Sequence, residues 1–207
     1  MRLPRRSIAA RFIVLGAAAA LLALPAGAAT KAKPKAEAKA AAPKLFALTS
    51  PALKDDAMLP LKYAGNNCGG SGPGKSISPP LAWSNAPPST KSFALIMIDP
   101  DGLRGMGSVH WVAYNIPASR TVLKEGDGNR EAKDITEGRN SRGSNGYTGP
   151  CGPPTDAPHH YVIQLLALDI AAGTLQPGLD RDGLLKMING HSLGPASMIV
   201  RYRRTTP

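Results

Sequence analysis

The chain of 207 residues has a formal net charge of +11, with 25 lysines and arginines against 14 acidic residues. Four arginines in residues 1–28, and five lysines against one glutamate in residues 29–44, account for +8 of this excess. Residues 45–207 therefore carry only +3, and nothing in them resembles the basic stripe of a nucleic-acid-binding protein. Residues 45–207 are numerous enough to form one domain with a substantial core.

Residues 1–28 have the order of an export signal. A head with four arginines is followed by the apolar stretch Phe12–Leu24 and by the small residues Ala26, Gly27 and Ala28. This order predicts a signal peptide cleaved after Ala28, and hence a periplasmic or secreted protein. The apolar stretch is short for a membrane span, and an uncleaved membrane anchor is the alternative.

Residues 29–44 consist almost wholly of alanine, lysine and proline. A segment with nothing to bury and charges of one sign predicts a disordered tether. A plain spacer is the commoner role of such a segment. The alternative is a basic arm that contacts an anionic membrane or wall polymer.

From residue 45 onward, short apolar runs alternate with glycine, proline, asparagine and aspartate. This pattern predicts a mainly β domain over residues 45–207, sandwich-like, with one or two small helices. The predicted strands are Leu45–Thr49, Met58–Tyr63, Ser92–Ile98, Val109–Ile116, His160–Leu168 and Ala196–Tyr202. Leu179–Asn189 is predicted to be a helix, capped by Asp180 or Asp182 and followed by Gly190.

The sequence Asp99-Pro100-Asp101-Gly102 follows the apolar run Phe93–Ile98. Its residue types are typical of a tight turn, which is the favoured interpretation when the motif is taken alone. The functional alternative places Asp99 at a strand end, where its carboxylate points into a cleft and accepts a hydrogen bond from a ligand or a histidine.

His110 lies within the predicted strand Val109–Ile116. Strict alternation puts His110, Val112 and Tyr114 on one face of this strand and Trp111 on the other. A single strand histidine is more often a satisfied semi-buried residue than a functional one.

The segment Gly146–Tyr161 is rich in glycine and proline and ends in His159, His160 and Tyr161. Backbone N–H groups held in a rigid loop can form an anion-binding nest, although a plain turn is the alternative. In the strand that follows, alternation places His159 and Tyr161 on one side and His160 on the other.

Cys68 and Cys151 are the two cysteines. An even pair in an exported protein favours a disulfide over a metal site or redox centre, although a nucleophile formed by Cys151 with His159 is conceivable. The four histidines lack the spacing of a zinc site, so neither a metal nor a cofactor is predicted.

The order of these motifs resembles that of the phosphatidylethanolamine-binding protein family, in its bacterial Raf kinase inhibitor-like branch. "DPD" is followed by "HWVAYN" and then by a Gly-Pro-Pro loop that runs into His-x-Tyr. "SISPPLAW", "KSFALIMIDPD" and "YVIQLLALD" fit the same branch, and the resemblance covers about residues 45–204.

The resemblance implies two antiparallel sheets with peripheral helices, and a small pocket near one end of the larger sheet that binds anions. Such anions include the phosphate groups of lipid heads and nucleotides. Carried over by position, the pocket residues are Asp99, His110, Gly149, Gly152, Pro153, Pro154, His159 and Tyr161. Cys68 and Cys151 occur where many bacterial members carry cysteine, and a bridge between them would pin the pocket loop to the segment before Ser76.

Two departures from the family pattern stand out. Gly102 and Leu103 follow Asp101 where the family often has Ala-Pro, which implies a looser pocket rim. His160 replaces the arginine of a His-Arg-Tyr motif and removes a planar bidentate donor. Because His160 is expected to face away from the pocket, we expect structural pairing to suffer more than anion binding.

Three functions are consistent with these features. The first is a non-catalytic, exported binding protein for a small anionic or phosphorylated ligand, with protonated histidines strengthening binding at low pH. The second is a protein-interaction module that inhibits a protease or kinase. The third is a hydrolase in which Asp99 works with His110 or His159, and it ranks last because neither an activated nucleophile nor a metal-ligand set is apparent.

Overall fold

The computed structural model describes residues 44–68, 72–130 and 133–204. The predicted export signal and residues 29–43 of the predicted tether lie outside these described residues. The described part is mainly β and contains two sheets, as predicted from the sequence. The smaller sheet has the order β1-β3-β6, made of Ala47–Thr49, Leu81–Ser84 and Val122–Leu123.

The larger sheet has six strands in the order β2-β9-β8-β4-β5-β7. These strands are β2 (Ala57–Met58), β9 (Ser192–Tyr202), β8 (His159–Leu168), β4 (Ser92–Asp99), β5 (Ser108–Pro117) and β7 (Thr136–Glu137). All neighbouring pairs are antiparallel except β2 and β9, which are parallel.

The central strands β4 and β8 are apolar because both of their faces are covered. Phe93, Leu95 and Met97 of β4 belong to the core between the two sheets. Ala94 and Ile96 point to the opposite face, into a second core that includes Leu184 and Ile188 of the helical region. The near-continuous apolar runs therefore predicted these two strands correctly.

The helix on the outer face of the larger sheet spans Arg181–Met187 and is shorter than predicted. Asp180 caps it, since its Oδ1 accepts a hydrogen bond of 2.9 Å from the backbone N–H of Gly183. Gly190 follows with a φ of 81°, a conformation that favours glycine and ends the helical region. Among the described residues, no helix has the length and hydropathy needed to cross a membrane.

The predicted strand Met58–Tyr63 is wrong. Only Ala57–Met58 pairs in a sheet, and Leu61–Tyr63 forms a turn of 3₁₀ helix. Pro60 lies between these two elements and has no N–H to donate to a strand neighbour, so it ends the pairing. Three short strands, β3, β6 and β7, lie in segments for which no strand was predicted.

Candidate functional site: a charged cavity at one end of the larger sheet

A cavity of about 470 Å³ opens at the end of the larger sheet where β4 ends and β5 and β8 begin. Asp99, His110, His159 and Tyr161 all line it. Residues that are about fifty positions apart in the sequence are therefore brought together. The remaining walls come from the turn after β4 and from the loop that precedes β8.

Asp99 is the last residue of β4 and combines the two roles considered for it. Its Oδ1 accepts hydrogen bonds from the backbone N–H groups of Asp101 (3.0 Å) and Gly102 (2.9 Å), which fixes the turn. Its Oδ2 lies 2.9 Å from Nδ1 of His159, inside the cavity. A Cβ atom at position 102 would lie 2.9 Å from Cβ of Ser108 and 3.1 Å from Asp99 Oδ2, so a larger residue there would make the turn shift.

His110 reaches the cavity because β5 contains a bulge. Met97 pairs with Trp111 and Ile98 pairs with Val109, so His110 is an extra residue in β5. A bulge interrupts alternation and re-aims a side chain. The expectation that His110 shares a face with Val112 is therefore wrong: Val112 packs in the outer core, whereas the His110 ring contacts Tyr161 on the inter-sheet side.

The protonation of His110 is constrained by its one hydrogen bond. Nδ1 lies 2.9 Å from the backbone oxygen of Thr148, and because a carbonyl oxygen only accepts, Nδ1 carries the hydrogen. Burial lowers the pKa of His110, although the bond to Thr148 and the charge of Asp99 act in the opposite direction. The neutral ring therefore has its lone pair on Nε2, the nitrogen left for a ligand.

His159 has the opposite electrostatic setting. Its burial alone would lower its pKa, but the hydrogen bond to Asp99, the charge of Asp99 and the bond to Asp156 together raise the pKa. Nε2 lies 3.4 Å from Oδ2 of Asp156, which is half-exposed at the cavity rim. His159 and Tyr161 point to the same buried side of β8 and His160 to the exposed side, as alternation predicted.

Tyr161 places an unsatisfied polar atom in this cavity. The residue is 0% exposed, and its hydroxyl makes no well-formed hydrogen bond among the described residues, although it faces the Asp99 carboxylate and the backbone of Gly152. Burial and the charge of Asp99 raise the pKa of this hydroxyl far above its ordinary value, so it stays protonated and can donate. A buried polar atom without a partner costs about 1–3 kcal/mol, a penalty that a bound ligand or water would remove.

The structure separates the predicted loop residues into two sets. Gly152 and Pro153 line the cavity, whereas Gly149 and Pro154 do not. Gly149 packs against backbone instead: a Cβ atom there would lie 2.4 Å from the carbonyl carbon of Ala64. Its N–H donates to the Ser76 hydroxyl at 2.8 Å, so this N–H group is not directed at a cavity ligand.

Cys68 and Cys151 form a disulfide with a Cα–Cα distance of 5.4 Å. The bridge ties the cavity loop to the segment before Ser76, as the family resemblance implied. With its sulfur in the bridge, Cys151 cannot act as a thiolate nucleophile beside His159.

Two departures from the family pattern have visible consequences. The backbone N–H of His160 donates to Oδ2 of Asp101 at 2.8 Å, and Nδ1 of His160 lies 3.0 Å from the same oxygen. The histidine therefore keeps a structural pairing with Asp101. These bonds lower the pKa of Asp101. At the rim, Leu103 and Arg104 have φ values of 50° and 59°, which are strained for residues other than glycine.

Sequence reasoning missed the charged residues on the cavity rim, Arg104, Arg142 and Asp156. They lie in turns and loops, where no periodicity predicts which way a side chain points. Arg142 donates from Nη1 to the backbone oxygen of Asn67 at 3.0 Å and from Nη2 to Sγ of Cys151 at 3.3 Å. Within the described ranges, no cluster of histidine, cysteine and acidic side chains is placed to hold a metal ion.

Comparison with known proteins agrees with the motifs. The sequence profile of the family described as phosphatidylethanolamine-binding protein matches residues 49–203. A UPF0098 protein of Methanothermobacter thermautotrophicus is 38% identical over 159 residues, which are 76% of this chain and 98% of that protein.

Two solved structures are similar over nearly their whole length. The crystal structure of Escherichia coli YbcL matches with a TM-score of 0.70 and 32% identity, covering 76% of this chain and 98% of YbcL. The homologue CT736 of Chlamydia trachomatis matches with a TM-score of 0.65 and 31% identity, covering 77% of this chain and 97% of that one. The matched share of the chain corresponds to the domain that the sequence motifs indicated.

Proposed function

Because the chain belongs to the phosphatidylethanolamine-binding protein family, in its bacterial branch, we propose that it is an exported, non-catalytic binding protein for a small anion. The ligand class is a phosphate group, either free or in a phospholipid head group. The family supports a ligand-binding fold, and the cavity at the end of the larger sheet supplies the chemistry for this ligand class.

The observation that carries the proposal is the Tyr161 hydroxyl, buried beside two imidazoles without a well-formed hydrogen bond. The ring of Tyr161 lies edge-on to His110 with their centroids 5.2 Å apart. Asp99 holds His159 through Nδ1, which orients the ring and favours its protonated form. A hydroxyl donor and a cationic imidazole in one partly closed cavity favour an oxyanion, because charge-assisted hydrogen bonds are the strong ones.

Three groups then have distinct roles in binding. Protonated His159 supplies charge, and its Nε2–H becomes a donor to the ligand when the ligand displaces the 3.4 Å contact with Asp156. Tyr161 supplies a neutral donor in the buried part of the cavity. His110 is neutral with an accepting Nε2, so it suits a protonated phosphate oxygen, or it takes up a proton when the anion binds. The proton uptake predicts tighter binding at lower pH.

Calorimetric titration of the purified protein with inorganic phosphate and with phosphoethanolamine tests the proposal. We expect binding by the wild-type protein and a loss of about 10-fold in affinity in Tyr161→Phe, the value of one hydrogen bond to a charged group. His110→Gln should also weaken binding. His191→Gln is the matched control, since His191 pairs with Asp169 outside this cavity. Absence of binding by the wild-type protein to both compounds would refute the proposal.

Export is a separate part of the proposal and has its own test. N-terminal sequencing of protein recovered from the host cell envelope should start at Ala29. A chain that begins at residue 1 and stays with the membrane would identify residues 1–28 as an uncleaved anchor. Full-length protein in the cytoplasm would contradict export.

The hydrogen bond between Asp99 and His159 also favours a second candidate, a hydrolase. A carboxylate that orients a histidine is the arrangement of a general base. Turnover of phosphomonoester and peptide substrates, abolished by His159→Gln, would establish this activity. We expect no turnover, because both ring nitrogens of His159 already contact carboxylates and the sulfur of Cys151 is in a disulfide.

The rim of the cavity favours a third candidate, a contact with another protein such as a protease. Leu103 and Met106 are 61% and 84% exposed on the strained turn beside the cavity. Inhibition of serine proteases by the wild-type protein, relieved in Leu103→Ser and Met106→Ser variants, would establish this role. Unchanged protease activity would remove it.

A further inference from the structure

Arg142 is the rim cation with the most defined surroundings. Its guanidinium contacts both sides of the disulfide, through the backbone oxygen of Asn67 next to Cys68 and through Sγ of Cys151. The side chain is otherwise exposed and lines the cavity. A guanidinium has five N–H groups, so donors remain after these two contacts.

The charges around the cavity leave Arg142 without an anionic partner. Asp99 and Asp156 both contact His159, and Asp101 pairs with His160. Among the described residues, no carboxylate lies within salt-bridge distance of the Arg142 guanidinium. The charge of Arg142 nevertheless reaches the buried part of the cavity, since it contributes, after burial, to lowering the pKa of His110.

We propose that Arg142 is an anion-binding residue of this cavity and that the Cys68–Cys151 disulfide positions it. The inference rests on the proposed function and adds to it the residue that supplies permanent charge, as well as a means of regulation. His159 titrates, whereas an arginine stays protonated at all physiological pH values. Arg142 therefore maintains anion binding at pH values where His159 has lost its proton.

The disulfide matters because both anchors of Arg142 depend on it. Asn67 and Cys151 belong to segments that are far apart in the chain and are joined covalently by this bridge, beside a hydrogen bond of 2.8 Å from the Gly65 N–H to the Pro150 backbone oxygen. Arg204 strengthens the same junction by donating from Nη1 to the backbone oxygen of Cys68 at 2.7 Å. A side chain already held in its binding geometry loses less freedom when a ligand arrives, which raises affinity.

Reduction of the bridge by a dithiol should therefore weaken anion binding. The S–S bond breaks, each sulfur takes up one proton, and the dithiol is oxidised to its own disulfide with transfer of two electrons. The segments that carry Asn67 and Cys151 are then held together by hydrogen bonds alone, and Arg142 is held less rigidly. Anion affinity would thus report the redox state of the surroundings.

Titration with inorganic sulfate at pH 8 isolates Arg142, because sulfate keeps its charge and His159 is less protonated there. We expect Arg142→Gln to bind about 10-fold more weakly than the wild-type protein, the size of one charge-assisted hydrogen bond. Arg142→Lys should recover part of the affinity. Arg181→Gln is the matched control, because Arg181 is a partly exposed arginine that pairs with Asp182 outside this cavity.

The two proposals fail in different ways in this experiment. If the wild-type protein binds neither sulfate nor phosphate, the proposed function fails and the inference fails with it. If the wild-type protein binds but Arg142→Gln binds equally well, only the role of Arg142 is overturned.

A double-mutant cycle tests the positioning by the disulfide. We expect Cys68→Ser/Cys151→Ser to bind sulfate about 3–10-fold more weakly, with no further loss when Arg142→Gln is added. Thermal unfolding of each variant checks that it is folded at the titration temperature. Losses that simply add, or a reduced wild-type protein with unchanged affinity, would overturn the positioning role.

Discussion

Asp99 and Glu137 are two carboxylates of the larger sheet with very different surroundings. Asp99 lies at the end of β4 and has three hydrogen-bond contacts, from two backbone N–H groups and from His159. Glu137 lies in the two-residue strand β7 and accepts one hydrogen bond from a described residue, the indole N–H of Trp111 at 2.8 Å. Burial raises the pKa of Glu137 to about 7, although the bond from Trp111 acts in the opposite direction.

The difference shows how hydrogen-bond donors stabilise the charge of a buried carboxylate. A turn directly after β4 turns its N–H groups toward Asp99, and β8 brings His159 to the other carboxylate oxygen. Among the described residues, no comparable turn or cation contacts Glu137, which accepts the hydrogen bond from Trp111 and lies beside a second cavity of about 630 Å³. Similar chemistry thus gives a carboxylate–histidine pair in one place and a proton-binding residue in the other.

The largest expected effect is that of Asp99→Ala on stability. It removes the acceptor for the N–H groups of Asp101 and Gly102 and leaves His159 without its partner. We expect the free energy of unfolding, from urea denaturation at pH 6, to fall by about 3 kcal/mol.

Asp156→Ala is the matched control, because Asp156 contacts the other nitrogen of His159 at 3.4 Å from a half-exposed position. This substitution should lower the free energy of unfolding by less than about 1 kcal/mol. Equal losses of unfolding free energy in the two variants would show that the hydrogen-bond donors around Asp99 do not make it more important for stability than Asp156.

Glu137→Gln should give a smaller, pH-dependent gain. Because the folded-state pKa of about 7 exceeds the ordinary value of 4.5, the stability that protonated Glu137 provides is present at low pH and declines between these values. Glutamine keeps an acceptor for Trp111 without the charge. We expect a gain of about 1–2 kcal/mol at pH 8 and almost none at pH 4.5, measured by urea denaturation. A gain that is equal at both pH values would contradict the shifted pKa.

Sulfate affinity should rise by about 10-fold between pH 8 and pH 5.5, because protonated histidine adds a charge-assisted hydrogen bond. The pKa of His159 is raised and that of His110 is lowered, so the two residues should act in different parts of this range. In calorimetric titrations, His159→Gln should remove the change at the higher pH values and His110→Gln the change at the lower ones. Affinity that is independent of pH would remove both histidines from the site.

The smallest expected effect is that of His160→Ala. Asp101 and His160 are both about half-exposed, and exposed pairs contribute little to stability. We expect a loss below about 1 kcal/mol in urea denaturation at pH 6. A loss as large as that of Asp99→Ala would show that this outer pair, rather than Asp99, holds the turn.

The sequence was informative where local pattern and tertiary structure agree. The apolar runs of β4 and β8, the cap at Asp180 and the alternation of His159 with His160 are all local signals, and the structure confirms them. The family resemblance added the prediction that Asp99 and His159 lie close together, which no local pattern could show.

Other features depend on contacts that a single sequence does not reveal. The bulge at His110 arises from the register between β4 and β5, so counting along β5 alone gave the wrong face. Arg142 is positioned by its contacts with Asn67 and Cys151. Cys151 is close to Arg142 in the chain, but its orientation is set by the disulfide. A loop side chain fixed by distant partners carries no periodic signal.

The disulfide separates Cys68 and Cys151 by 83 positions and encloses all strands from β3 to β7. Residues 141–145, within the enclosed stretch, are all exposed and form an accessible target for proteases. A chain nicked there would consist of two pieces that remain covalently joined. On a gel without reductant the nicked and intact molecules would be counted as the same species, and only reduction would reveal the cut.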